Sequence, residues 1–283
     1  MKTKFTTLLF FAIFLSHFFN STSIASQDPL TLGDHFIKLN NYDAAITEYK
    51  RFIFFHPDDI RVAETYNQIG LAYRSQGLWQ EAIFAMRNAV LNANTDEQKS
   101  AHQLNLAVTL IASENYDLAR LELIKVMLRN TSDPTYKRSL FLQAVTYIYQ
   151  YRWDDARKIL KDYTIDESLN QLFEKVKNLP QKSTIVAKVL SAVIPGTGQM
   201  YAGRWGGGLN ALGLNGVLGY VTVDAVLNGH YIDAALWTYF IFRRYYMGNL
   251  YRSGTAAEAY NQEHSQRAAE NILQRLQEIA NKK

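Results

Sequence analysis

The sequence predicts an all-α protein built from a helical-hairpin solenoid and a glycine-rich hydrophobic helical hairpin. Three observations carry that prediction. An aromatic residue followed three positions later by alanine recurs as Tyr42/Ala45, Trp79/Ala82, Tyr116/Ala119 and Trp153/Ala156, always 37 residues apart. Apolar residues around these pairs fall at helical spacing. Twelve of the fifteen glycines lie between Gly196 and Gly254, around a run of about twenty residues, 208–227, whose only charge is Asp224.

The N-terminus opens with Lys2 and Lys4, continues through a mostly apolar stretch from Leu8 to Phe19, and reaches Ser23-Ile24-Ala25. This is the pattern of a secretory signal peptide over residues 1–25, cut after Ala25, with an uncleaved anchor as the alternative. The short signal points to an exported bacterial protein. The chain has no cysteine, so an oxidising compartment offers it no disulfide.

Residues 63–94 are the clearest unit. Tyr66, Ile69, Gly70 and Tyr73 share one helical face, and Trp79, Ala82, Met86, Ala89 and Val90 share another, with Ser75-Gln76-Gly77 as the turn. Gly70 and Ala82 are small where two helices approach closely. The Gly70 position repeats as Gly33, Ala107 and Ala144, and the Tyr73 position as Phe36, Leu110 and Tyr147. At the turn, Gly77 is replaced by Asn40, Glu114 and Tyr151. This pattern resembles the tetratricopeptide repeat, a helical hairpin usually about 34 residues long. The match places four copies in residues 26–163, at about 26–59, 63–96, 100–133 and 137–163, with the extra residues in the loops. Residues 164–180 add a capping helix, its apolar face formed by Leu169, Leu172, Phe173, Val176 and Leu179, and a linker.

In repeats of this family the first helix of each hairpin lines a concave groove. The resemblance therefore implies a protein-binding surface from Glu64, Asn67, Leu71 and Arg74 in the second copy. Leu104, Val108 and Ile111 extend it in the third, and Phe141, Val145 and Ile148 in the fourth. Its later half is the more apolar, to be filled by the chain's own cap or tail or by an apolar segment of a partner.

The second region, residues 181–254, opens on Pro195-Gly196-x-Gly198-Gln199-x-Tyr201-x-Gly203. Pro195 breaks the helix before it, and the glycines permit a tight backbone path. Residues 208–227 are about 30 Å long as a helix, enough to cross a bilayer core. Gly208, Ala211, Asn215, Gly219 and Thr222 fall on one face, a small-residue stripe that admits another helix or a second copy of the chain. Asn228-Gly229-His230 is a turn, and residues 231–242 are again apolar before Arg243 and Arg244 interrupt them. An antiparallel hairpin sets these arginines opposite Leu214 and Asn215, which favours an interfacial position. The signature, with Gly248-Asn249-Leu250-Tyr251 downstream, resembles a bacterial two-helix membrane domain, and that resemblance implies location rather than activity. Residues 255–283 form a polar amphipathic tail helix with Ile272, Leu273, Leu276 and Ile279 as its stripe.

Charge follows the same division. The formal net charge is +4, yet residues 26–180 hold 18 basic and 20 acidic residues, whereas residues 181–283 hold 10 and 6. The repeats thus lack the basic surface that nucleic acid requires. The glycine cluster has no preceding strand and no Lys-Ser/Thr, so it is no nucleotide loop. The six histidines have no metal-ligand spacing, and no nucleophile motif is present. The expectation is a non-enzymatic protein without cofactor or metal, holding a protein partner at a membrane lipid surface of the bacterial cell envelope with its repeats facing the periplasm. The alternative is a membrane component whose hairpin oligomerises, or assists transport or insertion. One conflict stands: an exported repeat region and a two-span hairpin leave the cytoplasmic turn without Lys or Arg, against the positive-inside tendency. It resolves if residues 185–194 also insert, if the hairpin only dips into the bilayer, or if it packs on soluble protein.

Overall fold

The structure is a computed structural model that describes residues 28–130 and 134–281. The predicted signal peptide lies outside the described residues. Among these the protein is all-helical, with no strand. The chain divides into two compact units, Met1–Thr146 and Tyr147–Lys283.

The first unit contains α1 (Pro29–Lys38), α2 (Tyr42–Phe55), α3 (Val62–Ser75), α4 (Trp79–Leu91), α5 (Asp96–Ala112), α6 (Tyr116–Arg129) and most of α7 (Pro134–Tyr149). Consecutive helices pack against each other from α1 to α6. Helices α2, α4 and α6, and α8 (Trp153–Tyr163) in the second unit, each begin on the aromatic residue of the 37-residue series. The alanines three positions later are all fully buried.

The turns inside the four pairs share one geometry. Asn40, Gly77, Glu114 and Tyr151 all have positive φ, between 56° and 74°. In each turn the amide of the next residue (Asn41, Leu78, Asn115 or Arg152) donates to the carbonyl of Phe36, Tyr73, Leu110 or Tyr147, at 2.8 to 3.0 Å. This is the left-handed helix stop that glycine favours. Gly77 adopts it without steric penalty and Asn40 tolerates it, whereas Glu114 and Tyr151 are held there against their preference.

Packing within the pairs is an exchange of volumes. A Cβ on Gly33 would lie 2.5 Å from the Tyr49 ring, and one on Gly70 would lie 2.5 Å from Met86 Cγ. In the third pair the small position is Ala107, and the smaller Leu123 joins it in one buried cluster. Several helix starts are capped by side chains: Asp28 accepts from the Leu30 amide, Asn41 from Ala44 and Thr95 from Gln98.

In the second unit, α8 is followed by α9 (Glu167–Lys177), α10 (Thr184–Val193), the short α11 (Thr197–Tyr201) and α12 (Trp205–Leu227). After the Gly229 turn come α13 (Tyr231–Leu236), a π-helical turn (Trp237–Phe242) and α14 (Arg243–Asn281). Asp166 caps α9, which buries Leu169, Phe173 and Val176 as its apolar face. That helix packs on both α8 and α14, and Asp166 also pairs with Arg275 at 2.7 Å. The capping segment is therefore also the partner of the tail, whose Ile272 and Leu276 are fully buried.

The arginine pair interrupts the apolar run, and the helix extends through it. One expectation is corrected: the tail is no separate element, because the boundary expected after Gly254 falls inside α14. Gly254 leaves room for the Lys188 stem, whose Cε lies 2.5 Å from where a Cβ would be.

Candidate functional site

The signature residues of the second unit form a buried polar knot. Gly196 takes φ +95° and starts α11, so the backbone reverses sharply after Pro195. Its amide donates to Asn249 Oδ1 at 2.9 Å, and Gln199 Nε2 donates to the same oxygen at 3.0 Å. Asn249 Nδ2 donates to the Ser191 carbonyl at 3.0 Å. The Ser191 hydroxyl donates to Gln199 Oε1 at 2.9 Å and accepts from the Gly198 amide at 3.0 Å. Three elements, α10, α11 and α14, are thereby tied by groups that are all buried and engaged. A closed network of this kind fixes one arrangement, whereas a half-satisfied one destabilises it.

The glycines set the distances. A Cβ on Gly196 would lie 2.0 Å from the Gly208 carbonyl oxygen, and one on Gly198 would lie 2.0 Å from that of Ala187. A Cβ on Gly208 would meet Met200 at 2.5 Å. Backbone therefore touches backbone at two of these positions. Gly203, at φ +80°, ends α11, and the Arg204 amide closes that turn onto the Gln199 carbonyl at 2.8 Å. Tyr201 accepts from the Ser183 amide at 3.3 Å, and the Lys182 ammonium sits 4.5 Å from the Tyr201 ring centre. Asn261 completes this corner by exchanging two hydrogen bonds with the Lys182 backbone, at 2.7 and 2.9 Å. Pro195, Gly196, Gly198, Gln199, Tyr201 and Gly203 thus hold a fold.

The opposite surface of this unit is apolar and open. Helix α12 is 23 residues long, and its most apolar 18-residue window has mean hydropathy 1.2 and is only 11% buried. Val217, Tyr220, Val223 and Leu227 are exposed on it, as are Ile185, Val189 and Val193 on α10 and Ile232, Tyr239 and Phe240 after the turn. Of the two partners expected for the small-residue stripe, another helix or a second copy, the chain itself supplies cover: Gly208 and Asn215 are buried, and Ala211, Gly219 and Thr222 are half-buried.

In the first unit the predicted groove residues separate into two groups. Asn67 and Leu104 are buried, as is Ile148 in the second unit, so they support the surface rather than form it. Leu71, Arg74, Val108, Ile111, Phe141 and Val145 are half-buried, and Glu64 is exposed. Leu71 and Ile111 pack against the cluster containing Met86, Leu106 and Leu110. A polar ladder crosses this face: Asn105 Nδ2 donates to Asn67 Oδ1 at 3.0 Å, and Asn67 Nδ2 donates to Glu64 Oε1 at 3.2 Å. His102 lies buried beside it, with no hydrogen bond to either ring nitrogen and Glu64 Oε2 4.0 Å away. Burial pushes its pKa down, against the opposing pull of the Glu64 carboxylate.

Helical-wheel reasoning missed a second surface. Phe54, Leu91 and Leu128 end the second helices at the same 37-residue spacing and are each 77–79% exposed. Phe84 and Leu121, also 37 apart, are exposed on the same helices. The signal was present in the period, because a large apolar residue recurs where the hairpin has no use for it. Among the described residues no group of histidine and acidic side chains is placed to hold a metal.

No family model matches the chain, and no curated protein matches it.

Proposed function

We propose that the chain is a membrane-attached scaffold of tetratricopeptide type, holding a partner protein beside a lipid surface through its repeats. The observation that carries this reading is α12, long enough to enter a bilayer core and left almost bare by its own unit. Soluble proteins seldom leave apolar surface of this extent to water. The four equal turns, the buried alanines and the 37-residue register support a helical-hairpin solenoid as the platform. Export to a bacterial envelope, with the repeats on the periplasmic side, rests on the N-terminal pattern of residues 1–25. No enzyme activity is assigned.

Dipping of the hairpin, rather than full spanning, fits best. The apolar segment 231–242 is about 18 Å long as a helix, close to one leaflet of a core of about 30 Å. A dip also removes the charge conflict, since no uncharged turn then has to reach the far side. Hairpin-driven assembly between copies is less favoured, because the Gly208 face is occupied within the chain.

Vesicle flotation of the full chain, combined with photocrosslinking in native membranes from single positions, tests the proposal. The expected result is flotation, with crosslinks to another protein from Val108 or Leu91. A chain that stays in the aqueous fraction, or that crosslinks only to itself, contradicts it.

A further inference from the structure

Between α12 and α14 lies a crevice of about 280 Å3, lined among others by Asn210, Leu214, Asn215, Arg244, Tyr245 and Arg252. No carboxylate lines it. Among the described residues neither Arg244 nor Arg252 forms an ion pair, and both are exposed. Two exposed guanidinium groups without protein counter-ions, beside an apolar helix, leave their forks free to take an anion.

Asn215 makes an independent demand. It is 4% exposed, and its Nδ2 donates to the Ala211 carbonyl at 2.8 Å, which fixes the amide orientation. Its Oδ1 is buried with no donor. Asn249 also borders the crevice, but its side chain is committed to the polar knot. The crevice therefore offers two cationic forks for an anion, with Asn215, whose Oδ1 lacks a donor, in its lining; a hydroxyl reaches that oxygen only with a small shift of the wall. Leu212, Leu214 and Val217 are exposed on the adjoining helix, where acyl chains would lie.

The geometry points to a specific site for the headgroup of an anionic phosphoglycerol lipid, with the phosphate on Arg244 and Arg252 and a glycerol hydroxyl donating to Asn215 Oδ1. This inference rests on the membrane-attached reading of the hairpin. Arg244 follows the apolar segment 231–242 almost directly, so the crevice sits at the level where lipid phosphates meet a dipping hairpin. Arg243 does not share in the site, because its guanidinium lies over the Tyr239 ring, 5.6 Å from its centre.

The test uses the full chain in detergent, titrated with dihexanoyl phosphatidylglycerol, dihexanoyl phosphatidylcholine and inorganic phosphate. The expected result is binding of the phosphatidylglycerol about tenfold or more tighter than either of the others. Arg244→Gln with Arg252→Gln, both at exposed positions, should abolish that preference, and Asn215→Leu should reduce it. Equal binding of the two lipids, binding of phosphate alone as tight as that of the lipid, or a preference unchanged in the double arginine variant overturns the site. Flotation on phosphatidylcholine vesicles is read separately. There the double variant should float like the unaltered chain, and failure of both to float contradicts membrane attachment rather than the headgroup site.

Discussion

The two units are held together by different means. In the first, a large side chain fills the space left by a small one, as Tyr49 does at Gly33 and Met86 at Gly70. In the second, backbone meets backbone at Gly196 and Gly198, and a closed set of hydrogen bonds joins Ser191, Gln199 and Asn249. The first method works in water, where burying apolar volume is itself favourable. The second relies on close backbone approach and internal hydrogen bonding, devices that do not depend on burying large apolar side chains.

Paired substitutions sharpen this contrast, and the largest effect belongs to the glycines. Gly198→Ala sets a Cβ against a backbone oxygen that cannot rotate away, and should destabilise the second unit by at least ~3 kcal/mol in thermal unfolding. Gly33→Ala meets only a side chain and should cost the first unit about 1–3 kcal/mol. Equal effects would remove the distinction. Asn249→Leu comes next: it strips partners from the Gly196 amide and the Gln199 side chain and should cost about 3 kcal/mol. Met86→Leu conserves volume and should cost less than about 1.5 kcal/mol.

A third test uses pH. His102 is buried as the neutral form, with its folded-state pKa below the ordinary value of about 6.5. Its contribution to stability is present above that value and is lost as pH falls through the folded-state pKa, since the unfolded chain takes up the proton first. Denaturant titrations of the unaltered chain and His102→Leu should diverge in slope against pH below about 6.5, and parallel curves would show that His102 plays no part. The smallest effect is expected at the turns. Glu114→Gly relieves a left-handed glutamate and should stabilise by about 0.5–1 kcal/mol, whereas Gly77→Ala at the equivalent turn should destabilise by about 1 kcal/mol.

How far the sequence reveals this molecule depends on whether its signals are local. Aromatic helix starts, buried alanines and the period of 37 are legible because each is fixed by neighbours within one hairpin. The left-handed turn is legible from residue type only at Gly77. At Asn40, which tolerates it, and at Glu114 and Tyr151, where the hairpin geometry overrides residue preference, register reveals it. The groove assignment was less secure: Asn67, Leu104 and Ile148 lie on an outward face by periodicity but are covered in the folded chain. The polar knot was half legible. Gln199 and Asn249 stand in recognisable motifs, but nothing local pairs one with the other or brings Ser191 between them. The continuous α14 was hidden by composition, since arginines and Gly254 punctuate the sequence without ending the helix.

The absence of cysteine allows single labelling sites to be introduced without removing any native residue. The most direct measurement is quenching of a fluorophore attached at Val217→Cys or Val223→Cys, compared with Leu91→Cys, in vesicles that contain the full chain. Lipid-borne quenchers should reach the first two positions and aqueous iodide should not, whereas Leu91→Cys should respond to iodide alone. Equal quenching by iodide at all three positions would contradict a bilayer-inserted hairpin carrying repeats that stand in water.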